Sequence, residues 1–201
     1  MYDLKLKAAG QADSLKIQTD IANVYINDSL NFPGTNINIK SARDISEVNI
    51  NTNANQTLNS ANIVAQVQTL PKGAKIKFRE SNFDVNGKKW TIEKNGEIVL
   101  TEDVVSADKV KLYNGLQEIN ITTVPSTVPG LNDIKVEMQK VNIGDFTPYI
   151  TTSNRFEGLL SGTVSITDPL GKMKIDANAI AEQFRLDDDS IGKLSLKGKY
   201  Y

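Results

Sequence analysis

Pairs of apolar residues separated by one residue recur along the chain, among them Leu15/Ile17, Val24/Ile26, Ile37/Ile39, Val48/Ile50, Ile76/Phe78, Val110/Leu112, Ile119/Ile121, Val164/Ile166, Met173/Ile175 and Leu194/Leu196. Successive side chains of an extended backbone point to opposite faces, so each pair marks a short strand with one oily side and one wet side. Asn, Asp, Gly, Ser and Lys fill the intervals, which predicts a tall stack of antiparallel strands rather than a mixed α/β fold. A stack of this kind carries one continuous apolar stripe, and that stripe is what a function has to explain.

At 201 residues the chain is one all-β domain or one piece of a longer array. Lys plus Arg number 23 against 24 Asp plus Glu, and no window is strongly basic, so nucleic acid and other polyanions are not expected partners. Cysteine and histidine are both absent. That removes thiolate and imidazole metal sites and the Ser-His and Cys-His nucleophile pairs; the expectation is no enzyme and no cofactor. No run approaches the roughly 20 apolar residues that span a bilayer. The opening Met1-Tyr2-Asp3-Leu4-Lys5 alternates like a strand, so any signal or anchor is expected outside this segment.

Residues 1–73 alternate thinly and are rich in Asn and Thr, and residues 51–61 read as a polar loop or weak edge. Residues 74–201 form the second expected segment, continuous with the first. Its Asn86-Gly87, Asn95-Gly96 and Asn114-Gly115 predict hairpin turns, because Asn and Gly tolerate the positive φ that two-residue turns need. Pro125, Pro129 and Gly130 break the ladder, and the slip of phase between Met138 and Val141 predicts a bulge. Phe146, Tyr149 and Ile150 at i, i+3 and i+4 predict one short helix over 144–150, capped by Asp145 with Pro148 in its first turn. Strands are expected again at 162–166, 173–179, 184–186 and 194–200.

Several motifs resemble a known repeat. They include Phe156-Glu157-Gly158-Leu159-Leu160-Ser161-Gly162 with Pro169-Leu170-Gly171-Lys172-Met173, then Phe184-Arg185-Leu186, and then Asp189-Ser190-Ile191-Gly192 before Leu194-Ser195-Leu196. Upstream stand Trp90-Thr91-Ile92 and Leu112-Tyr113-Asn114-Gly115-Leu116-Gln117. Over residues 74–201 these resemble TamB-like proteins, in the wider group that contains AsmA. The resemblance implies an elongated, curved antiparallel sheet folded into a U-shaped open groove with an apolar interior. It also implies a periplasmic location, with the natural protein anchored in the inner membrane and touching membranes through parts outside this segment. Its implied cargo is phospholipid or another acyl-chain ligand, or a strand of an outer-membrane protein, with an outer-membrane β-barrel assembly protein as a partner.

Read without the resemblance, a sheet with one apolar face must close on itself, pack on a partner or line something oily, and a sealed core is the commoner outcome. Mid-sized aliphatic side chains make a smooth wall, and such a wall replaces water around a lipid tail at about 0.8 kcal/mol per buried methylene without any catalytic residue. The candidate wall positions are Val110, Leu112, Ile119, Ile121, Val136, Met138, Val164, Ile166, Met173, Ile175, Phe184, Leu186, Leu194 and Leu196. The competing expectation is a closed β-sandwich binding or adhesion module at the cell surface, with the same residues sealed inside.

Other clusters carry less. Asp187-Asp188-Asp189-Ser190 offers acidic oxygens without the spacing of a calcium loop and reads as a solvated turn. Carboxylates at Glu80, Asp84, Glu93, Glu97, Glu102 and Asp103 mark no special pair. Trp90 reads as a packed strand residue rather than a sugar platform. Lys72, Lys75, Lys77 and Arg79 read as a charged solvent face, with contact to anionic lipid heads as the sharper alternative.

Overall fold

The computed structural model describes residues 4–27, 30–52, 58–151 and 153–201. It is all-β, with antiparallel strands and one short helix. The chain forms two compact units, residues 1–95 and 96–201. Residues 73 and 74, where the two expected segments meet without a break, lie in one strand that hairpins back on its predecessor.

The first unit holds β1 (Leu4–Gln11), β2 (Ser14–Asn27), β3 (Leu30–Ala42), β4 (Ile45–Thr52), β5 (Leu58–Leu70), β6 (Gly73–Phe78), β7 (Ser81–Val85) and β8 (Lys88–Ile92). Strands β1 to β5 pair in sequence order. β5 is long enough to carry two partners end to end, β6 along Ala65–Leu70 and β7 along Leu58–Asn62, and β8 follows β7. At the junction of β6 and β7 the buried Ser81 hydroxyl accepts from the Val64 amide at 2.9 Å and lies 3.1 Å from the Val64 carbonyl. It thereby satisfies β5 backbone where its partner strand changes. Asn51 and Thr52 end β4 and residues 58–61 open β5, while the centre of the loop expected over 51–61 lies outside the described residues.

The second unit holds β9 (Glu97–Thr101), β10 (Val105–Asp108), β11 (Val110–Asn114), β12 (Gln117–Pro125), β13 (Asn132–Asn142), α1 (Ile143–Ile150), β14 (Phe156–Thr167), β15 (Lys174–Leu186) and β16 (Asp189–Tyr200). β9 pairs with β10, and β11 to β16 form an antiparallel meander.

Turn chemistry explains the hairpins unevenly. Asn86 and Gly87 both have positive φ, 50° and 72°, and are closed by Val85 opposite Lys88 as a two-residue turn should be. At Asn114-Gly115 the turn sits one residue later: Gly115 (φ 58°) and Leu116 are central, and Asn114 faces Gln117. Asn95-Gly96 closes no hairpin; it joins strands that pair elsewhere, β8 with β7 and β9 with β10. Arg43 (φ 55°) and Asp187 (φ 53°) open turns without any Asn-Gly signal.

The expected bulge is present between Met138 and Val141, with Lys140 at φ 49°. A second one separates Ala181 from Phe184, with Gln183 at φ 53°. It bends one continuous β15 where the spacing of apolar residues suggests two strands, over 173–179 and 184–186. Helix α1 starts one residue earlier than expected, and its cap is Asn142, whose Oδ1 accepts the Gly144 N–H at 3.1 Å. Asn142 ends β13 in an extended conformation and so reaches the orphan amides first. Asp145 is buried in the first turn and accepts from the Asn142 amide at 3.3 Å, and Pro148 lies beyond that turn.

Candidate functional site

In an antiparallel sheet, directly opposed residues share a face, so the register shows which side chains stand together. Across β11 to β16 one row runs Val110, Ile121, Val136, Val164, Ala177, Gly198. The next runs Leu112, Ile119, Met138, Gly162, Ala179, Leu196. On one flank Ile134, Ile166 and Ile175 line up, and on the other Val141, Leu160, Ala181 and Leu194. Beyond them Phe184 faces Gly192, Leu186 faces Phe156, and the rings of Phe156 and Phe184 lie nearly parallel with centroids 6.3 Å apart.

Thirteen of the fourteen candidate wall residues therefore sit in paired strands, twelve of them besides Val110 as neighbours along this apolar surface. Met173 lies just before β15, outside the registered rows, and is 42% exposed. The candidates leave out Ile134, Val141 and Leu160, which the register places on the same face. The bulges supply the signal: one extra residue at Lys140 and one at Gln183 return Val141 and Phe184 to the face of Met138 and Ala181.

The reverse face is polar along two rows, with Val124, Leu159 and Ile180 as apolar exceptions beside them. Lys111, Asn120, Glu137, Thr163, Asn178 and Lys197 form one line, and Thr122, Lys135, Ser165, Asp176 and Lys199 the next. Ion pairs cross it at Lys111–Glu118 (2.6 Å), Lys135–Glu137 (2.7 Å) and Lys199–Asp176 (3.2 Å). The Lys111 ammonium, with help from Asn120, holds the Glu118 carboxyl below its ordinary range. The Asp176 carboxylate pushes Lys199 up.

Val110 is buried at 3% exposure, yet most of the aliphatic face is only half-buried and Leu196 is 42% exposed. Half-covered methylenes are what an apolar ligand can still desolvate favourably. The first unit repeats the design. Ala8, Ile17, Ile39, Val48, Ala65 and Phe78 form one row, and Leu6, Thr19, Ile37, Ile50 and Ile63 another. Its wet face carries Asp20, Asn36, Asn51, Asn62 and Asn82 in line. The Asn36 amide donates to Asp20, Asn38 donates to Asn36, and Asn51 donates to Asn49 at 2.7 Å.

The remaining clusters are structural. No group of three metal-ligating side chains occurs among the described residues. Asp187 accepts from the Arg155 backbone amide at 2.8 Å and the Asn154 side chain at 3.3 Å, and the Arg155 guanidinium reaches Asp188 at 3.1 Å. The acidic turn thus ties β16 and β15 to the start of β14. These donors hold the Asp187 carboxyl below its ordinary value of 3.8. A depressed folded pKa means stabilisation that is present above the unfolded value and lost as pH falls through the folded one. Asp187→Asn is accordingly expected to loosen the turn at neutral pH and to match the parent in strong acid, as read by amide exchange at Arg155 and Asp187.

No family model matches the chain, and neither a curated protein nor a solved structure matches it.

Proposed function

We propose that this chain is a segment of a bacterial envelope protein, similar to TamB-like proteins, whose apolar sheet face solvates phospholipid acyl chains on their way between inner and outer membrane. The observation that carries the reading is the set of adjoining aliphatic rows from Val110 to Leu196, half-covered and backed by a face of ion pairs. Many equivalent weak contacts of about 0.8 kcal/mol per methylene hold a tail while letting it slide, whereas one deep pocket would trap it. Headgroups stay in water, so the segment needs neither a nucleotide nor a catalytic side chain. A periplasmic setting and an inner-membrane anchor elsewhere in the protein belong to the same proposal.

Photo-crosslinking amino acids test it residue by residue. Placed at Val164 and Ile175 they should capture phospholipid, and placed at Ser165 and Asp176, their neighbours on the reverse face, they should not. Lipid extraction from detergent-free protein should yield phospholipid. Equal labelling on both faces, or a lipid-free and cooperatively folding monomer, would refute the groove and favour a sealed sandwich.

A further inference from the structure

The loops at one end of the second unit hold apolar side chains in water. Register places these loops together: Pro125 faces Asn132, Asp133 faces Thr167, Thr167 faces Lys174 and Ile175 faces Tyr200. The β12–β13 loop, the β14–β15 loop and the end of β16 therefore lie at the same strand ends. Val128 and Leu131 stand exposed in the first loop, Leu170 and Met173 in the second, and Tyr200 and Tyr201 at the end of β16. The row of tips crosses five neighbouring strands, about 19 Å at roughly 4.8 Å per step. The opposite end carries α1 and the acidic turn Asp187-Asp188-Asp189 instead, with Leu116 and Ile191 as its exposed aliphatic residues.

Each loop is tied by its own hydrogen bonds. In the first, the Ser126 N–H donates to the Leu131 carbonyl and the Leu131 N–H to the Val128 carbonyl, both at 3.2 Å, and the Val128 N–H donates to the Ser126 hydroxyl at 3.1 Å. In the second, the Gly171 N–H donates to the Asp168 carbonyl at 3.1 Å and the Lys172 N–H to the Asp168 carboxylate at 2.9 Å, which leaves Leu170 51% exposed. Pro129 and Pro169 have no N–H to satisfy. Loops with their amides so occupied lose little on leaving bulk water, as the interfacial layer of a membrane requires. Strand ends also offer no ladder edge on which a further strand could pair. Scattered tips suit a fluid surface better than the contiguous apolar core of a protein interface. In such a surface tyrosine settles at headgroup level, and lysine stems lie along the apolar layer with the ammonium in water. Lys172, Lys174 and Lys199 are balanced here by Asp133, Asp168 and Asp176, so the attraction is apolar rather than ionic. Beyond β12, where the Ala107 amide donates to the Thr123 hydroxyl at 2.7 Å, the β9–β10 turn carries Glu102 and Asp103 and limits the rim on that side.

We propose that this rim of loops dips into the interfacial layer of a phospholipid bilayer, with Val128 and Leu170 as its anchors. The inference stands on the strand-end loops and holds whether the apolar sheet face is an open groove or a sealed core. It puts membrane contact within this segment, where the resemblance implies it only outside.

Flotation of the whole chain with vesicles decides it. The protein should float with phosphatidylcholine vesicles and stay bound as salt rises, because screening does not weaken an apolar contact. Val128→Ser with Leu170→Ser should lower the partition coefficient roughly 30-fold, the factor carried by about two and a half methylenes left in water. Both residues are exposed, so the far-UV circular dichroism of that variant should match the parent. Leu116→Ser, at the other end and 78% exposed, should leave binding unchanged. The added emission of Leu170→Trp should be quenched by brominated acyl chains and that of Leu116→Trp should not. A parent that stays behind, parental flotation of the Val128/Leu170 variant, or an equal loss from Leu116→Ser would overturn the proposal. Self-association that the Val128/Leu170 variant abolishes, without vesicle binding, would also overturn it and assign the rim to a second copy. Rim-dependent flotation without lipid capture at Val164 and Ile175 would support the rim while refuting the groove.

Discussion

A Trp90→Ala protein is expected to lose about 3–5 kcal/mol of folding stability, the range for truncating a large buried aromatic. Trp90 has no exposed surface, and its ring lies nearly parallel to that of Phe83, with centroids 6.4 Å apart. The other buried apolar residues around this part of the first unit are Ala61, Val85 and Ile92, too small to collapse into the space left behind. Natural domains hold only about 5–15 kcal/mol in total, so this single change should move the urea midpoint far to the left or leave the chain unfolded. Far-UV circular dichroism follows the transition. Trp90→Phe, which keeps the stack on Phe83, should recover much of the loss; an alanine variant as stable as the parent would show that Trp90 does not anchor the unit.

The second large effect belongs to Gly162. It sits in the row between Met138 and Ala179, where β14 and β15 approach so closely that an added Cβ would overlap the Cα of Ala179 and the carbonyl oxygen of Asn178. The obstructing atoms are backbone, so no side chain can swing aside. Gly162→Val should therefore cost 1–3 kcal/mol or more by forcing the two strands apart. The same valine would stand in the middle of the apolar face, so lipid capture at Val164 and Ile175 should fall together with the melting temperature. Ser161→Val, one residue away on the other face, serves as the comparison: it removes only the hydroxyl that accepts from the Lys140 amide at 2.9 Å. A Gly162→Val chain with parental melting would mean that the strands relax without cost.

Alternation alone was enough to specify strands, because a side-chain period of two has one backbone solution when one face is oily and the other wet. It also predicted the bulge after Met138, since two in-phase runs offset by one residue can share a face only if a residue is looped out. What periodicity could not reveal is pairing. Asn95-Gly96 has the composition of a hairpin turn, yet β8 pairs back on β7 and β9 forward on β10, so the two strands it joins belong to different hairpins. Residues 184–186 in isolation read as a strand after a break, whereas Gln183 only kinks β15. The wall suffered the same way: Leu160 and Val141 stand across from each other and complete the rows, but Leu160 belongs to no alternating apolar pair, and Val141 shares the face of Met138 only because of the bulge between them.

The looped-out residues at Lys140 and Gln183 restrict how such a chain can change its length. Removing either one would rotate what lies beyond it, in that strand, by half a turn and send Val141, or Phe184 and Leu186, into water and Asn142 or Arg185 toward oil. Insertions of two residues keep the phase, and so do additions at a hairpin tip such as Gly115-Leu116. A lineage of proteins built this way would drift in even steps within its strands and freely at its turns. Deletions in β13 and β15 should trace that parity, one-residue deletions losing folded protein where two-residue deletions at the same place retain more of it.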